Sequence, residues 1–143
     1  MKNGTPIQIQ LQTEVFQNDD KQEHFFDVPG QLVKMGTTLY LRYAEPSVDG
    51  EKEVPVTIKI EADGSIHLIR AAQQRTRLTF NYQEKNHTNY RTPYGVMEIY
   101  TFTNNLRVSL ADNPTSGKIS IDYDLFAGEE KLGVYHLRLQ FTA

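Results

Sequence analysis

This chain predicts an all-β fold, an antiparallel up-and-down β-barrel of roughly ten strands. Three observations carry that expectation. From Tyr94 to Phe141 four apolar–polar alternations follow one another, with no helical stretch between them. Their joins are short and polar, which forces neighbouring strands to be antiparallel, because parallel pairing needs a long crossover. Nowhere does a window of helix length show a period of about 3.6 residues. Strict alternation sends successive side chains to opposite faces of a sheet, so each run reads as a half-buried strand.

In order along the chain, Ile7, Ile9, Leu11 and Val15 share one face of a first strand, against Gln8, Gln10, Gln12 and Glu14. Asn18-Asp19-Asp20 turns the chain into a second strand, Gln22 to Met35. Pro29-Gly30 inside it predicts a bulge or sharp bend, since proline removes a ladder donor. Lys34 to Thr37 reads as the next hairpin turn, and Thr38 to Glu45 follows with Leu39, Leu41 and Tyr43 opposite Tyr40 and Arg42. Pro46 to Lys52 is a loop, and Val54, Val56, Ile58 and Ile60 mark another strand. Asp63-Gly64 predicts a type I′ hairpin turn, because both residues tolerate positive φ. Ser65 to Ala71 returns, Gln74 to Tyr82 follows, and Glu84 to Asn89 reads as a polar connection.

The closing strands are Tyr94 to Thr103, Leu106 to Leu110, Lys118 to Phe126 and Leu132 to Phe141. Asn104-Asn105, Asp112 to Gly117 and Ala127 to Lys131 join them. A short helical turn is compatible with Ala71 to Gln74 or Asp112 to Ser116. Antiparallel strands in sequence order leave exposed edges unless the sheet closes on itself, and these connections are too short for Greek-key crossings. A closed barrel is therefore favoured over a sandwich.

At 143 residues the chain is expected to form one domain, 1–143, long enough for a real core. A net charge of -3 argues against a nucleic-acid partner held by phosphate neutralisation. With 0 cysteines, disulfides, zinc–thiolate sites and thiol catalysis are excluded. The opening Met1 to Pro6 lacks the apolar stretch of a signal peptide, and no run is long enough to cross a membrane as a helix. The expected compartment is cytoplasmic, with no membrane partner. The triplets Asn3-Gly4-Thr5 and Asn86-His87-Thr88 are then chance glycosylation matches. His24, His67, His87 and His136 show no ligand spacing and read as surface residues, so no metal and no cofactor are expected.

The residues that suggest chemistry are basic and aromatic. Arg75, Arg77, Thr79 and Asn81 share one strand face, with Leu78, Phe80 and Tyr82 on the other, and Tyr40 and Arg42 project together from theirs. Turned inward, a pair of guanidinium groups would hold a carboxylate or phosphate through bidentate hydrogen bonds. The more economical reading puts Leu78, Phe80 and Tyr82 in the core and the arginines in water, because unpaired buried charge costs several kcal/mol. Glu98 is placed to pair across strands with the Arg75/Arg77 strand. In Arg91-Thr92-Pro93-Tyr94-Gly95, Pro93 stiffens the entry to a strand, and Tyr90 and Tyr94 offer stacking and hydrogen bonding. The alternative there is a rigid lead-in to a strand. Tyr40, Arg42, Arg75, Arg77, Tyr90, Tyr94 and Glu98 are thus the candidate ligand-binding set, with a barrel mouth expected near Tyr40, Arg42 and Tyr94.

Other patterns point away from catalysis. Asp122 and Asp124 share a strand face, but a calcium site gathers more oxygens from a loop, and a solvated face is the simpler account. Thr115-Ser116-Gly117-Lys118 lacks the earlier glycine and the following Ser/Thr of a phosphate-binding loop and opens a strand, not a helix. No Gly-x-Ser-x-Gly elbow exists, so no catalytic residues are assigned and a non-enzyme is expected.

Several stretches in order also resemble a known family. Tyr40-Leu41-Arg42-Tyr43-Ala44-Glu45, Ile69-Arg70-Ala71-Ala72, Phe80, Tyr90-Arg91-Thr92-Pro93-Tyr94-Gly95 and the run Gly117 to Leu125 span nearly the whole chain. In them the chain resembles the YwiB-like family of small bacterial proteins of unknown function. A glycine is usual in that pattern where Ala72 stands. The resemblance implies a calycin-like (lipocalin-like) β-barrel and brings no site residues with it.

Three functional classes follow. A small closed barrel can hold one ligand, here a small and anionic one, in its lumen. Alternatively the barrel is a non-enzymatic interaction or regulatory module that uses an exposed face, as a homodimer for instance. An enzyme would need Glu98, Glu45 or His136 buried beside a second titratable group. The ligand reading turns on which set lines the lumen, Val96-Glu98-Tyr100 or Met97-Ile99-Thr101.

Overall fold

The computed structural model describes residues 4–46, 53–72, 75–112 and 115–143, without the side chains of Arg91 and Thr92. Among them every regular element is a strand: β1 (Thr5–Gln17), β2 (Asp20–Met35), β3 (Thr38–Glu45), β4 (Val54–Ile60), β5 (Ile66–Ala71), β6 (Arg75–Phe80), β7 (Lys85–Thr92), β8 (Gly95–Ala111), β9 (Ser116–Ala127) and β10 (Glu130–Thr142). They form a 10-stranded sheet in the order β6-β5-β4-β3-β2-β1-β10-β9-β8-β7. Neighbours in that order pair antiparallel, and β1 against β10 is the pairing that is non-adjacent in sequence. The sheet curls into a nearly closed up-and-down barrel.

The strand count agrees with the sequence expectation through two compensating differences. Glu84 to Asn89, read as a connection, belongs largely to β7, whose register runs from Lys85↔Phe102 to Thr92↔Gly95. Its polar side chains hid it, because an edge strand can carry them on both faces. Conversely, Tyr94 to Thr103 and Leu106 to Leu110 are a single strand, β8. Asn104-Asn105 is not a turn but a bulge, where pairing to β9 shifts between Thr103 and Asn105. The extra residue restores the inward phase, so Thr101 and Thr103 before it and Leu106 and Val108 after it face the same way.

Pro29-Gly30 makes no bulge. β2 pairs with β1 in unbroken register through Gln8↔Pro29 and Ile7↔Gly30, while its ladder to β3 begins only at Gly30↔Tyr43. Pro29 thus lies just past the last β2–β3 pair, where a missing N–H costs no ladder bond. The two-residue turn with positive φ at both positions is Asn18 (48°) and Asp19 (66°), between the paired Gln17 and Asp20. That is the backbone a type I′ hairpin needs. At Asp63-Gly64 only Gly64 is left-handed (φ 94°), and its N–H bonds Glu61 C=O at 3.0 Å, a longer connection with the glycine last. The loop read over 46–52 and the helical turns read at 71–74 and 112–116 fall wholly or partly outside the described residues.

Ile9, Leu41, Val56, Ile58, Ile66, Phe80, Ile119, Ile121, Leu139 and Phe141 fill the middle of the lumen. Inward positions follow the alternation read from the sequence, and the outer face carries Gln8, Gln10, Gln12, Lys118, Arg138 and Gln140. Gly117 is an inward position where no side chain fits, since a Cβ there would lie 2.5 Å from the Phe141 ring.

The barrel is stitched differently where β6 meets β7. No ladder is formed between them among the described residues; Thr88 Oγ1 donates to Arg77 C=O at 2.6 Å and Thr101 Oγ1 to Thr79 C=O at 2.8 Å. Below, the connecting segment pairs with β8 instead, through Gln83 N–H to Thr103 C=O at 2.7 Å.

Candidate functional site

A cavity of about 360 Å³ opens at one end of the barrel, beside the β1–β2 turn. Its floor is apolar: Leu11, Phe26, Leu68 and Leu137. Its walls and rim carry Tyr43, Tyr123, Tyr135, Arg70, Glu45 and His24. Strand phase explains the composition. On β5, Ile66, Leu68 and Arg70 share the inward face, and on β3 Leu39, Leu41, Tyr43 and Glu45 do. Each strand is apolar at depth and turns polar on the same face as it reaches the rim.

Arg70 is the central cation. Its Nη2 donates to Glu45 Oε1 at 2.7 Å, while its Nε is buried with no hydrogen-bond partner among the described residues. A buried donor left unpaired costs about 1–3 kcal/mol. Burial, reinforced by the Glu45 carboxylate, pushes the Tyr43 phenol far above its ordinary value against the opposing pull of Arg70. Burial does the same to Tyr123, with Tyr135 adding to it. Tyr135 is raised by burial too, although Gln17 Nε2 donates to its oxygen at 3.3 Å. All three phenols therefore keep their protons at neutral pH and present O–H donors. Tyr123 and Tyr135 stack with ring centroids 4.9 Å apart, and Phe80 packs on Tyr123 at 4.6 Å, so the aromatic wall is braced by the core.

The seven residues singled out from sequence lie in three other places. Tyr40 and Arg42 face outward on β3, with the Arg42 guanidinium 5.5 Å from the Tyr40 ring centre. Arg75 and Arg77 are exposed on the outside of β6, while Leu78 and Phe80 point inward. Tyr82, grouped with those two in the core reading, is instead exposed, because the chain has left β6 before reaching it. Half-buried Tyr90, the exposed Tyr94 and Glu98 belong to the β7–β8 hairpin. Glu98 pairs with His87 Nδ1 at 3.1 Å rather than with the arginine strand, since β8 has β7 as its neighbour on that side. Met97-Ile99-Thr101 is the inward set of β8, with Thr101 fully buried; Tyr100 faces outward, stacked between His87 and Phe126.

The cavity's own residues carried a weak signal in the sequence: a charged residue in the inward phase at the end of a strand, as Arg70 and Glu45 both are. Tyr123 and Tyr135 carried none, because an inward tyrosine reads as core.

Two further polar clusters lie outside the lumen. His67, far from a surface residue, is 8% exposed, with Nε2 2.8 Å from Glu61 Oε2 and Nδ1 3.0 Å from Thr79 Oγ1 and 3.2 Å from Arg77 Nη2. Every polar ring atom has a partner, and none of the cavities described reaches the cluster. Asp122 accepts from His136 Nδ1 at 2.7 Å and Arg138 Nη1 at 2.8 Å, and Asp124 pairs with Lys131 at 3.5 Å. These aspartates are tied up in ion pairs rather than arranged for a cation. A wider depression of about 670 Å³ lies at the opposite end, between Leu32, Lys34, Leu110 and Asp112.

A family model described as a domain of unknown function (DUF1934) matches residues 9–139. The uncharacterized β-barrel protein YwiB of Bacillus subtilis (strain 168) is 25% identical over 142 residues, covering 99% of this chain and 96% of that protein. The crystal structure of the YwiB protein from Bacillus subtilis matches with a TM-score of 0.82 at 21% identity, over 100% of this chain and 94% of that one. At that identity the likeness is one of fold.

Proposed function

Since the chain belongs to the DUF1934 family, whose description assigns no activity, we propose from geometry alone that this barrel binds a small amphipathic molecule in the tyrosine-lined cavity at its end. The observation that carries the reading is the pairing of an apolar floor with a cation, Arg70, whose one side-chain hydrogen bond among the described residues goes to Glu45. The volume falls at the small end of the usual range for ligand pockets, roughly 300–1,000 Å³. The filled middle of the lumen confines the ligand to the end of the barrel.

The proposed activity is binding, without a catalytic step. The three phenols on the cavity wall keep their protons, and Glu45 already accepts from Arg70. A cytoplasmic site of action goes with this reading. Among the described residues no helix is long and apolar enough to cross a membrane. On β1 and β10 the outer face carries Gln8, Gln10, Gln12, Arg138 and Gln140, polar where a membrane barrel would carry an apolar band.

The test is a screen of small aromatic and aliphatic compounds by amide shift perturbation on isotope-labelled protein. The expected result is a set of hits whose shifts cluster at Leu11, Phe26, Leu68, Leu137 and Tyr135. Hits that map elsewhere, or none at millimolar concentration, would overturn the reading.

A second reading has its own observation. The β7–β8 hairpin ends in Tyr94, Val96 and Met97, which are 99%, 62% and 40% exposed. An interaction module, self-associating as a homodimer, would use that tip. Sedimentation of the wild type against Val96→Asp/Met97→Asp decides it; a monomer in both cases removes the reading.

A further inference from the structure

We propose that the end cavity is an oxyanion site, in which Arg70 and the Tyr43 hydroxyl hold the carboxylate or phosphate of the ligand while Glu45 competes as an internal anion. This rests on the binding reading above and names the chemistry of the ligand's polar end.

The cavity has an excess of donors. Arg70, whose side chain is partly exposed, brings the guanidinium N–H groups that Glu45 does not take, and Tyr43, Tyr123 and Tyr135 bring phenolic O–H groups. The acidic acceptor among the cavity's residues, Glu45, takes Nη2 of Arg70 through one oxygen and leaves Nε unpaired. A guanidinium presents its N–H groups as a planar fork that matches the two oxygens of a carboxylate or phosphate, so a single contact uses it incompletely. Tyr43 and Arg70 are both register partners of Val56, one on each side of β4, and both line the cavity with Glu45.

A ligand that satisfies this arrangement must bring acceptors, and a charged one gains most. A neutral alcohol can accept one hydrogen bond from the fork but cannot complete it. The apolar floor of Leu11, Phe26, Leu68 and Leu137 then takes the rest of the molecule, so the class is a small organic acid or phosphate ester with a hydrocarbon or aromatic body. Glu45 sets the affinity: any incoming anion must share Arg70 with it or displace it. Glu45 also keeps the rim near neutral, which prevents Arg70 from binding bulk inorganic anions by charge alone.

The experiment titrates three probes of matched body into the full chain at pH 7: phenylacetate, phenyl phosphate and 2-phenylethanol. For the wild type, at least one anion is expected to bind about tenfold or more tightly than the alcohol, the factor carried by one charge-assisted hydrogen bond. Whichever anion shows the larger preference assigns the oxyanion as carboxylate or phosphate. Arg70→Gln should bring the anion-to-alcohol ratio close to one. Glu45→Gln should raise anion affinity several-fold by removing the competitor, and this variant keeps the proposal testable should the Arg70 variant not fold.

The outcomes separate the two claims. If all three probes shift the floor residues with equal affinity in the wild type and in Glu45→Gln, the cavity is a binding site and the oxyanion proposal is overturned. If no probe perturbs the floor residues, both claims fall together. If anions bind preferentially but Glu45→Gln weakens them, Glu45 orients the Arg70 guanidinium rather than competing with the ligand, and the proposal is likewise overturned.

Discussion

Single residues in this barrel divide sharply by the face they occupy. Phe80 is fully buried and packs on Tyr123, so Phe80→Ala should cost about 3–5 kcal/mol in a urea melt. Arg77 is exposed, and its side chain meets the protein at His67, so Arg77→Ala should cost about 1 kcal/mol or less. A reversed order would mean that the faces of β6 are assigned backwards. Asp122 carries a pH signature. Partial burial on its own would raise its pKa, but the hydrogen bonds and charges of Arg138 and His136 outweigh it and hold the carboxyl below its ordinary 3.8. A group whose folded-state pKa is depressed stabilises the fold above its unfolded pKa and loses that contribution as pH falls through the folded value. The wild type should therefore exceed Asp122→Asn in stability at pH 7, and the gap should close below about pH 4. Denaturant midpoints of both proteins across pH 2–7 measure this, and a gap that persists at pH 2 would assign the effect to shape rather than charge.

Among whole elements, the seam between β6 and β7 is the exception in an otherwise laddered barrel. A threonine hydroxyl from β7, Thr88, and one from the adjoining β8, Thr101, reach β6 carbonyls there in place of a row of backbone bonds. Edge amides without ladder partners open at low free-energy cost, so β6 and β7 should show the fastest hydrogen exchange of the strands. Thr88→Val, which deletes the bond to Arg77 C=O, should accelerate exchange in both and leave β1 and β10 unchanged. Protection in β6 and β7 equal to that of the β1–β10 pair would show that the barrel is closed in solution. The seam also explains what the sequence concealed. Period-2 alternation revealed every strand that buries one face against the core, such as β1 with Ile7, Ile9 and Leu11. It missed β7, a seam strand whose Lys85, His87 and Asn89 face out and whose inward Asn86 and Thr88 are polar as well. It also split β8 at Asn104-Asn105, because a bulge changes phase locally just as a turn does.

For the molecule as a whole, the lumen is filled in its middle and hollow at its end, and that distribution was not legible in the sequence. Alternation says which side chains point inward, but not whether opposite walls meet across the barrel. That depends on curvature, and on where inward residues such as Arg70 and Glu45 stand relative to the rim. The difference has a measurable consequence for packing. In the filled middle, an added side chain has nowhere to go: Ile121 is 2% exposed, and Ile121→Phe should cost about 1–3 kcal/mol through overpacking. At the hollow end, Leu68 lies on the floor of a cavity of about 360 Å³, and Leu68→Phe can occupy that space without displacing neighbours. Its stability should be unchanged or raised by about 0.5–2 kcal/mol, the usual return on filling a cavity. The same change should abolish binding of any probe that perturbs the floor residues, because the ring occupies the ligand's place. Paired urea melts and titrations of the two variants test both halves at once. A Leu68→Phe protein destabilised as much as Ile121→Phe would show that the end of the lumen is as tightly packed as its middle, and the binding reading would lose its physical basis.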